Sequence, residues 1–231
     1  PEATEYPRTI GKDGKLKVTR KNDWTEGFYP GCLWYVYEYT NKEDWKKAAI
    51  KWTESLEPLK KMTNHHDIGF LMYCSFGNAY RLTGNEAYKD VLVESARSLC
   101  TRFNEKTGCI KSWNYRKSWN GKDEWFYPVI IDNMMNLELL YFATKVTGDS
   151  VYAKVANRHA ETTAKNQFRE DYSNYHVVNY DAETGEVLNQ ATCQGFSDNS
   201  AWARGQAWAI YGYTMAYRET HRQDFLDMAG G

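Results

Sequence analysis

One short phrase recurs four times along this chain at helix-hairpin spacing, and it restricts the fold more than any other feature. A Thr is followed by a turn and, five residues later, by an aromatic: Thr40 to Trp45, Thr83 to Tyr88, Thr147 to Tyr152, and a weaker Thr220 to Phe225. Gly or Asn just past a helix end supplies a left-handed cap, and the polar residues that follow can cap the next helix. Each phrase therefore reads as a tight joint between two antiparallel helices.

The helices on either side of a joint differ in character. Before it they are apolar nearly all round: residues 67–82 carry Ile68, Phe70, Leu71, Met72, Tyr73, Cys74, Phe76 and Tyr80, with Gly69 and Gly77 expected to admit close neighbours. Residues 132–146 repeat the pattern with Met134, Met135, Leu137, Leu139, Leu140, Tyr141, Phe142 and Val146. After the joint they are striped, as in Tyr88, Val91, Leu92, Ala96, Leu99 and Phe103 opposed by Lys89, Asp90, Glu94, Arg97 and Arg102. An all-round apolar helix is buried and a striped one lies at the surface. Alternation of the two describes an all-α toroid of inner and outer helices, an (α/α) barrel with parallel inner helices. Helices are expected near 30–40, 43–57, 67–82, 86–103, 132–146, 150–167 and 200–219, with an eighth starting near Asp224, and an extended or loop segment over 1–23. The long connections, 104–131 and 168–200, lead into inner helices, so function is expected at their N-terminal end.

Composition narrows the chemistry. The 9 Trp, 18 Tyr and 9 Phe among 231 residues suit a helical core or a platform for sugar rings. A net charge of −1 disfavours nucleic acid and anionic membrane as partners. No stretch approaches the roughly 18 apolar residues of a membrane span. Cys32, Cys74, Cys100, Cys109 and Cys193 show neither C-x-x-C nor metal-finger spacing and read as packed thiols.

Three segments at the long-loop end carry titratable groups. His65-His66-Asp67 opens the second inner helix, Ile130-Ile131-Asp132-Asn133-Met134-Met135-Asn136 the third, and Gln194 through Trp208 the fourth. Asp67 and Asp132 could each be an N-cap, while together on adjacent helices they would suit acid/base work at a sugar bond. His66 and His176 fit a core histidine or a pocket residue equally, and His65 reads as a loop residue. Two adjacent His without a third ligand at helical spacing make a poor metal site. Arg204 falls inside the aromatic stretch Trp202 to Trp208, where an unpaired charge would be costly, so it is expected to need an anionic partner, a structural Asp or a ligand carboxylate.

These blocks, with Asp23-Trp24-Thr25-Glu26-Gly27-Phe28-Tyr29-Pro30-Gly31 and Ser200-Ala201-Trp202-Ala203-Arg204-Gly205-Gln206-Ala207-Trp208, resemble the unsaturated glucuronyl hydrolases of glycoside hydrolase family 88 and follow that family's order over residues 24–220. The resemblance implies a six-hairpin (α/α) barrel that removes 4,5-unsaturated uronic acid from the non-reducing end of lyase-generated oligosaccharides, by hydration of the double bond. It implies Asp132 as general acid/base, Asp67 as a second essential carboxylate, and Trp24, His66, Trp113, His176, Gln194, Arg204 and Trp208 as substrate contacts. Trp119 and Trp125 share the loop of Trp113. No metal or organic cofactor is implied, and a bacterial periplasmic setting is favoured over the cytoplasm. The related rhamnogalacturonyl hydrolases carry an Asp-Asp-rich motif that does not stand at His65-His66-Asp67. Residues 1–231 are expected to be a single catalytic domain that lacks the family's opening helix and its closing helices. Two other readings stay open: a conventional inverting glycosidase on the same barrel, and a carbohydrate-binding relative without catalysis.

Overall fold

A computed structural model of the chain describes residues 5–20 and 22–231; residues 1–4 and 21, part of the expected N-terminal loop, lie outside the described residues. The chain forms two compact units: residues 1–62 with 67–98, and residues 63–66 with 99–231.

In the first unit the segment read as extended or loop forms a hairpin of β1 (Tyr6–Ile10) and β2 (Leu16–Thr19), antiparallel. Gly14 turns it at φ +74°, a left-handed conformation that favours glycine. Tyr6 is buried, donates to or accepts from Ser55 Oγ at 2.5 Å, and meets the Trp52 ring edge-on. α1 (Phe28–Thr40) and α2 (Glu43–Glu54) form the first helical hairpin, tied by Trp34 Nε1 donating to Thr53 Oγ1 at 2.9 Å. The expected helix over 67–82 is contiguous but not uniform: α3 (Ile68–Met72), a π-helical turn (Tyr73–Gly77) and α4 (Asn78–Thr83). Ser75 Oγ donates to Leu71 O and Asn78 Nδ2 to Cys74 O, and such side-chain donors compete for the carbonyls that a regular helix uses. All of Ile68–Met72 is buried, whereas α4 buries only Ala79, so the all-round apolar reading holds for the first half. Close approach comes from Gly27 and Gly31 rather than Gly77: a Cβ on Gly27 would lie 2.3 Å from Phe70 O, and one on Gly31 2.8 Å from Cys74 O. α5 (Glu86–Cys100) follows, ending short of the expected residue 103, and buries Tyr88, Val91, Leu92, Ala96 and Leu99 of the expected stripe, whereas Phe103 lies beyond it, half-buried, and Arg102 of the expected polar face is buried.

The second unit contains α6 (Leu137–Thr147), α7 (Val151–Gln167), α8 (Ala203–Thr220) and α9 (Gln223–Gly230). The helix expected from residue 132 starts instead as a 3-10 helix, Ile131–Asn136, that runs directly into α6. Both long connections contain strands. Short antiparallel pairs are made by β3 (Phe103–Asn104) with β4 (Cys109–Ile110) and by β5 (Arg116–Lys117) with β6 (Glu124–Trp125). A three-stranded antiparallel sheet joins β7 (Pro128–Ile130), β8 (Val177–Tyr180) and β9 (Val187–Ala191) in the order β7-β8-β9.

The Thr phrase has one physical form at all four joints. Asn41, Gly84, Gly148 and His221 end α1, α4, α6 and α8 in the left-handed conformation. Each preceding Thr Oγ1 donates to the carbonyl four residues back at 2.6 to 2.7 Å. Each also accepts the N–H two residues ahead at 3.1 to 3.4 Å. One hydroxyl thus adds a second bond to a carbonyl of the last turn and accepts the first free amide beyond the helix. The aromatics at Tyr88, Tyr152 and Phe225 are buried, while Trp45 is exposed.

The five cysteines form no disulfide; Cys109 is buried, but Cys32 is exposed on α1, which corrects the expectation of uniformly packed thiols.

Candidate active site

Strand register assembles this site, and it does so within the second unit. β7 pairs with β8 through Pro128 with Asn179, Val129 with Val178 and Ile130 with Val177. The next rung, Ile131 N–H to His176 O at 3.0 Å, sets Asp132 beside His176. On the other side of β8, Val177 pairs with Ala191, so the chain after β9 passes the His176 ring and donates to its Nδ1 from Cys193 N at 3.0 Å and Gln194 N at 3.2 Å.

Those two amides decide the ring's proton. Nδ1 accepts both, so the neutral ring carries its hydrogen on Nε2. Nε2 lies 3.6 Å from Asp132 Oδ2. Burial first, then the positive charges of Arg204 and Arg116 and the neighbouring His66, push the His176 pKa down to about 3, so the contact joins a neutral imidazole to a carboxyl group and is not an ion pair. Trp202 lies against the ring, centroids 4.4 Å apart. The His176 side chain has no exposed surface, while that of Asp132 keeps 10%.

Asp132 sits inside the first turn of the 3-10 helix, whose cap position is Ile130, and Asp67 makes no side-chain cap hydrogen bond to α3. The capping alternative is therefore set aside for Asp132, whereas Asp67 does stand at the N-cap position of α3, without a side-chain cap bond.

His66 is brought to the same unit by its backbone: His66 N–H donates to Ser112 O at 3.1 Å, and His65 pairs with Trp113 in an antiparallel bridge. A chain of amides leads to its ring. Ile110 O accepts from Asn133 Nδ2 at 2.7 Å, Asn133 Oδ1 accepts from Asn136 Nδ2 at 3.0 Å, and Asn136 Nδ2 approaches His66 Nδ1 at 3.3 Å. Since a carbonyl can only accept, each later role follows, and Asn136 Nδ2 faces His66 Nδ1 as a donor. The N–H of Ile110 meanwhile donates to His159 Nδ1 at 3.0 Å, and complete burial, then the neighbouring His66, pushes His159 down to about 3. His66 and His159 are both fully buried.

Arg204 is exposed near the start of α8, which corrects the premise that its charge lies enclosed among the aromatic side chains. Its guanidinium stacks on Trp202 at 4.4 Å and donates to Gln194 Oε1. Trp208 follows one helical turn later on α8, half-buried. Of the three loop tryptophans, Trp125 is fully buried with Ile130, Val177 and Ala191, Trp119 is exposed and donates to Asp198 at 3.2 Å, and Trp113 is half-buried with Arg116 stacked 4.5 Å over it. Gly205 and Gly212 let α8 lie against the 3-10 helix, since a Cβ at these positions would meet Ile131 Cγ2 at 3.1 Å and Met134 Cβ at 2.4 Å. The pairing of 205 with 131 and of 212 with 134 makes the two segments run in the same direction, as expected for inner helices.

The second unit thus gathers His66, Trp113, Asp132, His176, Gln194, Arg204 and Trp208, whereas Trp24 and Asp67 belong to the first. There Trp24 meets Phe28 and Phe70 edge-on, at 5.9 and 5.6 Å, with Arg8 over its face. Asn133, Asn136, Trp202 and Arg116 are additions that spacing did not single out. The β-branched runs at Val129-Ile130-Ile131 and Val177-Val178 were the available signal for the sheet. Among the described residues no group of three or more His, Cys, Asp or Glu side chains could hold a metal ion.

The family model described as Glycosyl Hydrolase Family 88 matches residues 4–226. The chain is 49% identical over 230 residues to an unsaturated glucuronyl hydrolase of Formosa agariphila, covering 98% of this chain and 56% of that protein. It is 39% identical to an unsaturated chondroitin disaccharide hydrolase of Streptococcus agalactiae, covering 93% and 54% respectively. The crystal structure of an unsaturated glucuronyl hydrolase specific for heparin superposes with a TM-score of 0.92 at 45% identity, over 98% of this chain and 59% of that one. The chain spans a little over half the length of these relatives, and it shares with them the helical (α/α) barrel fold read from its joints. With a match across nearly its whole length, the chain belongs to glycosyl hydrolase family 88.

Proposed function

We propose that the protein is a hydrolase that removes 4,5-unsaturated uronic acid from the non-reducing end of glycosaminoglycan oligosaccharides produced by lyases. Asp132 is the acid. The π pair of C4=C5 takes its proton at C4 while the ring oxygen supports positive charge at C5. Water then adds at C5 and returns a proton to the carboxylate. The resulting hemiketal opens to a ketone at C5, and the group at C1 departs as an alcohol. Such a step needs one carboxyl group able to give and take a proton in a largely dry setting, and the single observation that carries the reading is Asp132, 7% exposed beside a neutral His176. Arg204 and Gln194 supply donors for the sugar's carboxylate, and the Trp faces a surface for its flat ring.

The test is incubation of the full protein with lyase-generated disaccharides of heparin, chondroitin and hyaluronan. Loss of the alkene's ultraviolet absorbance together with sugar release is expected. Release of an intact unsaturated uronic acid would establish the inverting-glycosidase reading, and binding without turnover the non-catalytic one.

A further inference from the structure

The carry-over from the family makes His176 a substrate contact, but its surroundings leave it no surface with which to touch a sugar. Main-chain amides of Cys193 and Gln194 occupy Nδ1, Trp202 covers a face, and Nε2 looks at Asp132 Oδ2 across 3.6 Å. The side chain is 0% exposed, and the accessible surface of the pair belongs to Asp132.

We infer that His176 is a positioning residue that makes the two oxygens of Asp132 unequal, holding Oδ2 as an acceptor so that the transferable proton resides on Oδ1. The inference rests on the reading of Asp132 as the acid. Two amide donors at Nδ1 leave Nε2 as the ring's hydrogen-bearing atom. A proton on Oδ2 would point at that hydrogen, whereas a bare Oδ2 is attracted by it. The neutral acid is therefore protonated on Oδ1. When that proton leaves for C4, the negative charge gathers on Oδ2, where the Nε2–H already points, and the 3.6 Å gap shortens toward an ordinary hydrogen bond. No proton passes through the imidazole, which stays neutral throughout. Three-sided enclosure by main chain, indole and carboxyl keeps the ring from turning over.

The substrate-contact role and the positioning role separate in kinetics. Loss of a substrate contact raises KM, while loss of a group that stabilises charge formed in the transition state lowers kcat. Gln can replace the ring's polarity, with Oε1 toward the amides and Nε2–H toward Asp132; Leu cannot. In the full protein His176→Leu is expected to lower kcat about a hundredfold with KM changed less than about threefold, and His176→Gln to restore kcat to within about tenfold of wild type. Long-range proton–nitrogen NMR of the wild-type protein labelled at histidine nitrogen is expected to show His176 with bare Nδ1 and protonated Nε2, unchanged between pH 5 and 8. A His176 ring protonated on Nδ1, or a His176→Leu protein whose defect lies in KM alone, overturns the inference. The NMR reading needs no turnover, so a wild-type protein inactive on unsaturated disaccharides refutes the proposed activity while the tautomer is judged separately. It also decides the matter if His176→Leu does not fold.

Discussion

Ile131 donates its backbone N–H to the carbonyl of His176 at 3.0 Å, and that one rung sets the catalytic candidate against its neighbour. Asp132 follows Ile131 directly, at the point where the β7 strand gives way to a 3-10 turn, so the side chain is presented by an element that sheet pairing has already fixed in place. Precision of this kind comes from the main chain, which holds position more tightly than a long loop could.

Asp132→Asn retains the shape and removes the proton donor. Turnover of unsaturated disaccharide is expected to fall at least about a thousandfold, with binding changed little. In heavy water the wild-type product should carry deuterium at C4, and labelled water should appear at the former C5; label at C1 instead would exclude hydration. Exchange of the product ketone with water is the control, run on unlabelled product in the same buffer.

Stability in acid should report the buried histidines. His159 and His176 are both pushed down to about 3 in the folded protein, from an ordinary value near 6.5. Between those values the unfolded chain binds more protons, so their contribution to stability is complete above pH 6.5 and is lost as pH falls toward 3. Replacing His159 by Gln, which can still accept the Ile110 N–H, should flatten the dependence of unfolding free energy on pH by about 1.4 kcal/mol per pH unit inside that window. Urea titrations at several pH values read the slope directly, and an unchanged slope would contradict the neutral buried ring.

Arg204→Ala tests recognition. The side chain is exposed and stacked on Trp202, so its loss should change unfolding free energy by no more than about 1 kcal/mol. KM for a substrate bearing a carboxylate is expected to rise about tenfold or more. Melting temperature and activity falling together would mark Arg204 as structural.

Gly27→Ala tests the packing of the first unit. The new Cβ would stand 2.3 Å from Phe70 O and 2.4 Å from Leu71 O, both main-chain atoms with no rotamer to yield. A loss of about 3 kcal/mol is expected in chemical denaturation, with little change in the denaturant slope.

The joints were the most legible part of the chain. Each is local: a Thr, a residue that tolerates left-handed φ and a polar run lie within a few positions, and the same hydrogen bonds recur at residues 40, 83, 147 and 220. The sheet was obscured because its partners are remote, with Ile130 meeting Val177 across 47 positions. Strands of two to five residues give too few alternations for a period to emerge from a connection rich in Gly, Asn and Ser. The π-helical turn at Tyr73–Gly77 was hidden for another reason, since one extra residue per turn leaves an all-apolar face apolar.

Within the site, Asp132 stood out by sequence because it opens an expected inner helix, as Asp67 does, and because its block carries the family resemblance. Arg204 was misjudged because aromatic neighbours in sequence were equated with burial, whereas neighbours along a helix point in different directions and residues 203, 204 and 207 face outward. Asn133 and Asn136 carried no signal of their own; their meaning depends on the Ile110 carbonyl, which fixes which end of each amide donates.

The groups that hold His176 in one tautomer belong to the backbone of residues 193 and 194, and every amino acid except proline carries the same N–H. Drift in the genetic sequence at these two positions can therefore change the side chains there, such as the Gln194 amide that meets Arg204, without disturbing where the imidazole keeps its hydrogen. Side-chain identity and proton placement are separately heritable at adjacent atoms of one loop, so on the proposed function substrate preference can drift there while the setting of the acid is inherited unchanged.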